Sequence, residues 1–417
     1  MPPELLPVDA YVARVLSLAD GYVPGVEAVS LEDAPGRVLA RDVAATLAVP
    51  PFDNSAMDGF AVRRADVLAA SADAPVALDV VADLPAGSGE RPRVGQGQAA
   101  RIMTGAPLPP GADAVVPVEH TVTGSFAGGG DTVRVEVTVA PAAGAHVRRA
   151  ADDVAPGDVV LRAGTRLTAR HASAAASVGY ATLDVVRTPR VHVLSTGAEL
   201  RPPGAPLAHG QIPDSNSTLL AGLARAAGAV VHRVGAVPDD PEALRAVLAD
   251  AAAHSDLVVT SGGVSAGAHD VVKELLAAPG PDGAPAVAFT KVAMQPGKPQ
   301  GHGRLGATPI VTLPGNPVSV FVSFEVVVRP LLRAMLGQDP HPPARTAVAA
   351  TGWRSPAGRT QHVPVVVGPD GVRPATAGGS GSHLVASLAL AEALAVVPAD
   401  VAEVRPGDTV TLLEIDR

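Results

Sequence analysis

Hydrophobic positions follow two regimes along the chain. Between about residues 180 and 335, short unbroken apolar runs alternate with stretches of helical period. Arg190–Ser195, Val230–Val237, Asp256–Thr260, Ala286–Ala293 and Ile310–Leu313 read as strands buried on both faces, because apolar residues run on without polar alternation. Between them, Ser217–Ala227 reads as a helix closed by Gly228. A second helix starts at Asp239-Asp240-Pro241, an N-cap with proline in the first turn, and lines one face with Leu244, Val247 and Leu248. A third is marked by Val271, Val272, Leu275 and Leu276. Strands alternating with helices predict a doubly wound, mostly parallel α/β sheet, whose ligands bind outside the carboxyl ends of the strands.

The rest of the chain reads mainly as β. Val76–Val81, Ala99–Met103, Ala114–Val118 and Thr132–Val139 are strands separated by Gly/Pro turns, with a hairpin tip at Gly128–Gly130, and predict a small separate β domain. The tail 346–417 is again β, with turns at Pro369-Asp-Gly371 and Pro406-Gly-Asp408. Two helices break the pattern near the start. Asp9 caps one with Val12, Val15, Leu16 and Ala19 on its apolar face, and Thr168 caps an Ala-rich helix over 169–178. Gln338–Arg345, with three prolines, reads as a linker.

Composition narrows the function classes. With 417 residues and 47% hydrophobic content the chain can build several cores, and with 2% aromatics those cores are aliphatic. The absence of cysteine excludes disulfides, thiolate metal sites and a cysteine nucleophile. A net charge of −9 argues against nucleic acid as a partner, so an anionic substrate must be met by local Arg and Lys. No apolar run is long enough to span a membrane and the N-terminus lacks a signal pattern, which predicts a cytoplasmic protein without a membrane partner.

The most informative stretch is Ser261-Gly262-Gly263-Val-Ser265-Ala-Gly267-Ala-His-Asp270, between a strand and a helix. Its glycines can turn several N–H groups into one concavity suited to a phosphate. Asp270 places a carboxylate beside that concavity and would repel the phosphate unless a cation lay between them. The alternative is a glycine-rich turn with a capping Asp. Glu199, Asp239, Asp270, Lys298 and Asn316 all fall just past predicted strand ends, although Asp239 equally suits a helix start. The twelve His show no metal-site spacing.

FDNSAMDGFAV, RIMTGAPLPPGADAVV, STGAEL, SGGVSAGAHD, QPGKP, LPGNPVSV and GSGSH occur in order along the chain. In these seven motifs the sequence resembles the molybdopterin molybdenumtransferase family, which includes the E domain of gephyrin. The resemblance implies four parts: a discontinuous N-terminal domain (1–45 with 141–178), an inserted β domain (46–140), an α/β molybdopterin-binding domain (179–337) and a C-terminal β barrel (338–417). It implies a homodimer with its site in a cleft between subunits, and contact with an upstream molybdopterin adenylyltransferase and with downstream molybdoenzymes. The implied reaction is Mg²⁺-dependent insertion of molybdate into adenylylated molybdopterin with release of AMP. On this resemblance Glu199, Asp239 and Asp270 hold the metal. Asp58, Thr104, Lys291 and Lys298 join them as catalytic residues, and Gly262, Gly263, Ser265, Asn316, Ser382, Arg148 and Asp153 bind substrate. Arg149 adds positive charge. Hard oxygen ligands suit Mg²⁺, and a metal between Asp270 and the phosphate would remove the repulsion noted above. Three motifs depart from some relatives: Gln295 stands where a Lys can occur, an Arg after the Gly-Arg motif has no match in the run from Gly358 to Pro364, and Ala150-Ala151 follow the Arg pair where Arg and Gly can occur. Two other readings stay open, adenylyl transfer from ATP to molybdopterin and a non-catalytic scaffold. The motifs holding Asp58 and Thr104 favour the inserting enzyme.

Overall fold

A six-stranded mixed sheet organises residues 190–335 of the molecule. The computed structural model describes residues 5–124, 133–238, 240–264, 271–278, 285–341, 344–376 and 381–415; the expected hairpin tip at Gly128–Gly130 lies outside them. In chain order, helix α1 (Val8–Leu16) comes first. It is followed by the inserted β domain, with strands β1 (Gly59–Val62), β2 (Val76–Leu84), β3 (Gln98–Ile102), β4 (Ala114–Pro117) and β5 (Arg134–Val137) in the order β4-β1-β3-β2-β5. Phe60, Val62, Leu78, Ala99, Val116 and Val135 close its core. Helix α2 (Ala169–Ser177) starts at Thr168, which exchanges contacts with His171. It packs with Leu39, Val43, Leu161, Leu183 and Val185.

The α/β unit contains β6 (Arg190–Thr196), α3 (Asn216–Ala226), β7 (Val230–Val237), α4 (Pro241–His254), β8 (Leu257–Ser261), α5 (Val271–Ala277), β9 (Val287–Lys291), β10 (Pro299–Leu305), β11 (Thr308–Leu313), α6 (Pro317–Ser323) and α7 (Arg329–Met335). The sheet order is β7-β6-β8-β11-β10-β9. The first four strands are parallel, and β10 runs antiparallel to both its neighbours. Side chains alternate between the two faces, as the pleat requires. Val191, Val193, Leu257, Val259, Val311 and Leu313 face α1, α3, α6 and α7, whereas Leu194, Val258 and Ile310 face α4 and α5. Burial on both faces is why these strands are continuous apolar runs. Each buried Val or Leu contributes roughly 1.5–3 kcal/mol.

Two details differ from the sequence reading. Strand β10 has no apolar pattern because Gly301 and Gly303 sit where there is no room for a side chain. A Cβ on Gly301 would come 2.2 Å from Thr312 Oγ1, and one on Gly303 1.9 Å from the Ala286 carbonyl. Asp9 does not cap the first helix; Pro7 is at the cap position and Asp9 lies in the first turn. Helix α1 sets Tyr11, Val12 and Val15 into the core of the α/β sheet, beside α7.

The C-terminal region is a small barrel of β12 (Arg345–Val348), β13 (Thr360–Gly368), β14 (Gly371–Pro374), β15 (Ala393–Val397) and β16 (Thr409–Glu414), with α8 (Val385–Leu390) before β15. Neighbouring strands pair in the order β14-β13-β15-β16-β12. An Ala349–Val372 bridge, with Ala350 N–H donating to the Val372 carbonyl at 2.8 Å, returns β12 to β14. The barrel is fastened to the α/β unit where Met294–Gln295 pair with Thr360–Gln361 and Thr360 N–H donates to the Ala293 carbonyl at 2.9 Å.

Candidate functional site

The carboxyl ends of β6, β8 and β11 converge. Ser195 and Ser261 share a buried hydroxyl contact of 2.9 Å, and Gly262 N–H donates to the Leu313 carbonyl at 3.0 Å. Gly262 has φ of +88°, and a Cβ there would stand 2.5 Å from the Thr196 carbonyl. The backbones therefore approach more closely than any other residue permits. Gly263 follows with φ of +70°. A Cβ on Gly315, after β11, would come 3.6 Å from Gly262 Cα, so this loop lies against the first. The glycine-rich stretch thus begins at the carboxyl edge, as its spacing predicted; Ser265, Gly267 and Asp270 lie outside the described residues.

Glu199 follows β6 on a turn in which Gly197 lies against its carboxylate, and the side chain is exposed. It has no ion-pair partner among the described residues. Asp239 lies outside the described residues, but the capping question has an answer. Asp240 is the cap of α4, accepting from Ala243 N–H at 2.7 Å with Pro241 in the first turn. Lys291 ends β9, and Lys298 immediately precedes β10, which starts at this same edge because it runs antiparallel. Val292 N–H donates to the Lys298 carbonyl at 2.8 Å and closes the loop between them.

Asn316 occupies the N-cap position of α6, which follows β11, without a capping bond from its side chain, and donates from Nδ2 to Ser382 Oγ at 3.1 Å. Two motifs 66 residues apart are thereby joined across the junction between α/β unit and barrel. Arg359 of the barrel donates to Gln295 Oε1 at 3.0 Å. Pro364 is buried inside β13, opposite Leu394, and does not reach this edge.

The sequence reading passed over one constellation beside the site. Asn216 Nδ2 donates to the Gly315 carbonyl at 2.6 Å, while buried Asp214 accepts from Ser217 N–H at 3.0 Å and also from the Ser217 hydroxyl. Arg233 lies 3.7 Å from Asp214 and donates to Ser217 Oγ at 2.8 Å. Asp214-Ser-Asn-Ser217 at a helix start carried the capping signal that could have found it.

A second cluster forms at the base of the inserted domain. Asp58 Oδ1 accepts from both Thr104 N–H and Thr104 Oγ1, each at 2.7 Å. These bonds, the backbone one foremost, hold the carboxyl below its ordinary range. Arg148 lies opposite Asn54 in a short ladder. Arg149 is paired with Asp53 at 2.6 Å, so its charge is balanced locally. Asp153 N–H is bound to the Val49 carbonyl at 3.0 Å. Among the described residues, no hydrogen bond of Asp58 or Thr104 reaches the strand edge described above. The described residues contain no cluster of three or more His, Asp or Glu able to hold a metal, and no described helix is long and apolar enough to cross a membrane.

Comparison with known proteins covers nearly the whole chain. Residues 6–179 match the MoeA N-terminal region (domain I and II), 192–334 a probable molybdopterin binding domain, and 346–415 the MoeA C-terminal region (domain IV). Molybdopterin molybdenumtransferase 2 of Mycobacterium tuberculosis is 46% identical over 91% of this chain and 92% of its own length. Molybdopterin molybdenumtransferase of Bacillus subtilis is 35% identical over 98% of this chain and 94% of its own. The crystal structure of a molybdopterin biosynthesis MoeA protein from Pyrococcus horikoshii superposes with a TM-score of 0.81 at 31% identity, covering 99% of each chain.

Proposed function

The chain belongs to the molybdopterin molybdenumtransferase family and is a transferase of molybdenum cofactor biosynthesis, and we propose that it inserts molybdate into adenylylated molybdopterin with release of AMP. The observation carrying this reading is that the glycine turn at Gly262, the Asn316–Ser382 contact, Lys291 and Lys298 all lie past the same edge of one sheet. Backbone N–H groups and ammonium groups at such a rim suit a ligand built of phosphates and a metal oxyanion. Lys298, just before β10, holds anionic oxygens as charge develops on the departing phosphate.

Glu199, with Asp239 and Asp270, would hold Mg²⁺. The donor chemistry fits, since Glu199 is an exposed hard oxygen donor free of any ion pair among the described residues. When bound, Mg²⁺ neutralises phosphate charge. The protein's own groups orient the substrate: N–H groups of the glycine stretch beyond Gly262, whose own N–H is taken by the Leu313 carbonyl, hold the phosphates, Asn316 and Ser382 fix the junction with the barrel, and Lys291 and Lys298 attract the oxyanion. Asp58 and Thr104 act on the same substrate from a partner subunit. This reading is supported by their position in the inserted domain, where among the described residues no hydrogen bond joins them to the α/β edge of their own chain. A homodimer with shared clefts follows from it.

The deciding experiment incubates purified protein with adenylylated molybdopterin, Mg²⁺ and molybdate and follows AMP. Release dependent on molybdate supports insertion. Release independent of molybdate, or production of adenylylated molybdopterin from ATP, would remove this reading. Light scattering that shows an active monomer would remove the shared cleft.

A further inference from the structure

We infer that Asn216 is a positioning residue of this site, holding the Gly315–Asn316 loop in register with the segment that carries Glu199. The inference rests on the functional reading above, in which Glu199 and Asn316 serve one substrate, and names what sets them relative to each other. Past the end of β6, Leu200–Arg201 pair in parallel with Ile212–Pro213. Ile212 N–H donates to the Glu199 carbonyl at 2.9 Å, and Asp214 N–H to the Arg201 carbonyl at 2.8 Å. The chain then enters α3 at Asn216, whose Nδ2 donates to the Gly315 carbonyl at 2.6 Å across 99 residues of sequence. Gly315 lies against Gly262, and Gly262 against the carbonyl of Thr196, the last residue of β6. The contacts thus close a circuit through β6, the Glu199 segment, the start of α3, the Gly315 loop and the glycine turn. Asn216 supplies the link between α3 and the loop.

The start of α3 is braced on both sides of this residue. Buried Asp214 accepts from Ser217 N–H and from the Ser217 hydroxyl, and Arg233 on β7 donates to that hydroxyl oxygen at 2.8 Å. Only the nitrogen of an amide side chain can donate, so the carbonyl acceptor fixes which way the Asn216 amide is turned. The residue is only 8% exposed, and its Oδ1 has no hydrogen-bond partner among the described residues. A buried asparagine that serves packing alone has both ends satisfied, because an unpaired buried acceptor is destabilising. Asn216 instead keeps one bond, the bond to Gly315. That bond acts on the next residue. Asn316 donates from its side chain to Ser382 Oγ, and its carbonyl accepts from Val320 N–H at 2.9 Å. A shift of Gly315 therefore carries the Asn316 side chain and the first turn of α6 with it. Misplacement by about 1 Å at a reacting centre can slow a reaction about a hundredfold.

The test uses full-length protein with Asn216→Leu and Asn216→Asp, replacements of similar size that cannot donate to Gly315, together with Asn316→Ala and the double variants. It reads single-turnover AMP release, KM for adenylylated molybdopterin, Tm, and amide hydrogen exchange over residues 313–320. Asn216→Leu is expected to slow AMP release by about tenfold or more, with KM changing less than the rate. Its Tm should hold within a few degrees, and exchange at Val318 and Val320 should be faster. Because Asn216 acts through the Asn316 loop, Asn316→Ala should cost less in the Asn216→Leu background than in wild type, by about threefold or more. A residue that supports the fold alone would give losses that multiply. Multiplying losses, or wild-type release in folded Asn216→Leu, overturn the proposal. If Asn216→Leu does not fold, the same cycle with Asn216→Asp decides; if neither folds, Asn216 is structural and the proposal falls. Should wild-type protein show no molybdate-dependent AMP release, the functional reading fails separately. Hydrogen exchange then decides this proposal, unchanged exchange over 313–320 in a folded variant overturning it.

Discussion

Thr104 donates both its backbone N–H and its hydroxyl to one carboxylate oxygen of Asp58, each at 2.7 Å, across 46 residues of sequence. The carboxylate is thereby fixed in orientation on an exposed surface, where solvent alone would leave it free to rotate. Such an arrangement suits a group that acts on a ligand brought to it.

Asp58→Asn should lower AMP release on the order of a hundredfold, because the charge is lost while size is kept. Thr104→Val removes one of the two donors and should cost about tenfold. The depressed Asp58 pKa has a definite sign: its stabilising bonds are present above the unfolded carboxylate range and are lost as pH falls through the folded value. Thr104→Val should move the Asp58 titration upward, measured by NMR; an unmoved titration would contradict the geometry.

Lys298→Ala should weaken retention of the anionic ligands and slow AMP release together. The side chain lies at a half-exposed rim, so Tm should hold within a few degrees. Equilibrium binding beside single-turnover release checks this. A variant with wild-type binding would show that the ammonium faces solvent.

Gly262→Ala combines a φ of +88° with a Cβ 2.5 Å from the Thr196 carbonyl. A cost on the order of 1–3 kcal/mol is expected from backbone strain alone, with further loss of substrate affinity because the turn must shift. Thermal melts and substrate binding would reveal both; full affinity in the variant would mean that the turn is not a ligand surface.

Glu325→Ala should be the most destabilising change outside the site. Glu325 is fully buried and meets Arg329 through two bonds of 2.5 and 2.7 Å, in a π-helical turn that continues α6 into α7. Removing the carboxylate takes both of these bonds from a mostly buried guanidinium, at a cost of about 3–5 kcal/mol in urea unfolding.

His362 is buried in the barrel with no partner for Nδ1 among the described residues, and burial holds its pKa down at about 4. The folded state therefore stays neutral while the unfolded chain takes up a proton near pH 6.5. Stability is fully present above that value and falls as pH drops from about 6.5 toward 4, by on the order of 3 kcal/mol. His192 and His302, also lowered by burial, act in the same direction. His362→Leu should remove about one proton from the uptake on unfolding in this window. An identical pH slope in the variant would refute the assignment.

The α/β sheet was legible in the sequence because burial on both faces leaves unbroken apolar runs, and each run maps onto a strand whose ends lie within a few residues of those read. The glycine turn at Gly262 and the positions of Glu199, Lys298 and Asn316 past strand ends were legible for a related reason: parallel strands place the loops that follow them on one edge. Strand β10 was hidden because its glycines answer to Thr312 and Ala286, which are distant in sequence or belong to another strand. Local pattern likewise left open whether Asp239 or Asp240 capped α4, and hydrogen-bond geometry chose Asp240. The pairings Asp58–Thr104, Asn316–Ser382 and Gln295–Arg359 have no local signature. Each joins polar groups from separate elements, so it exists only once packing has fixed those elements. Periodicity records which face of an element is buried; only the tertiary structure decides which polar groups meet at its ends.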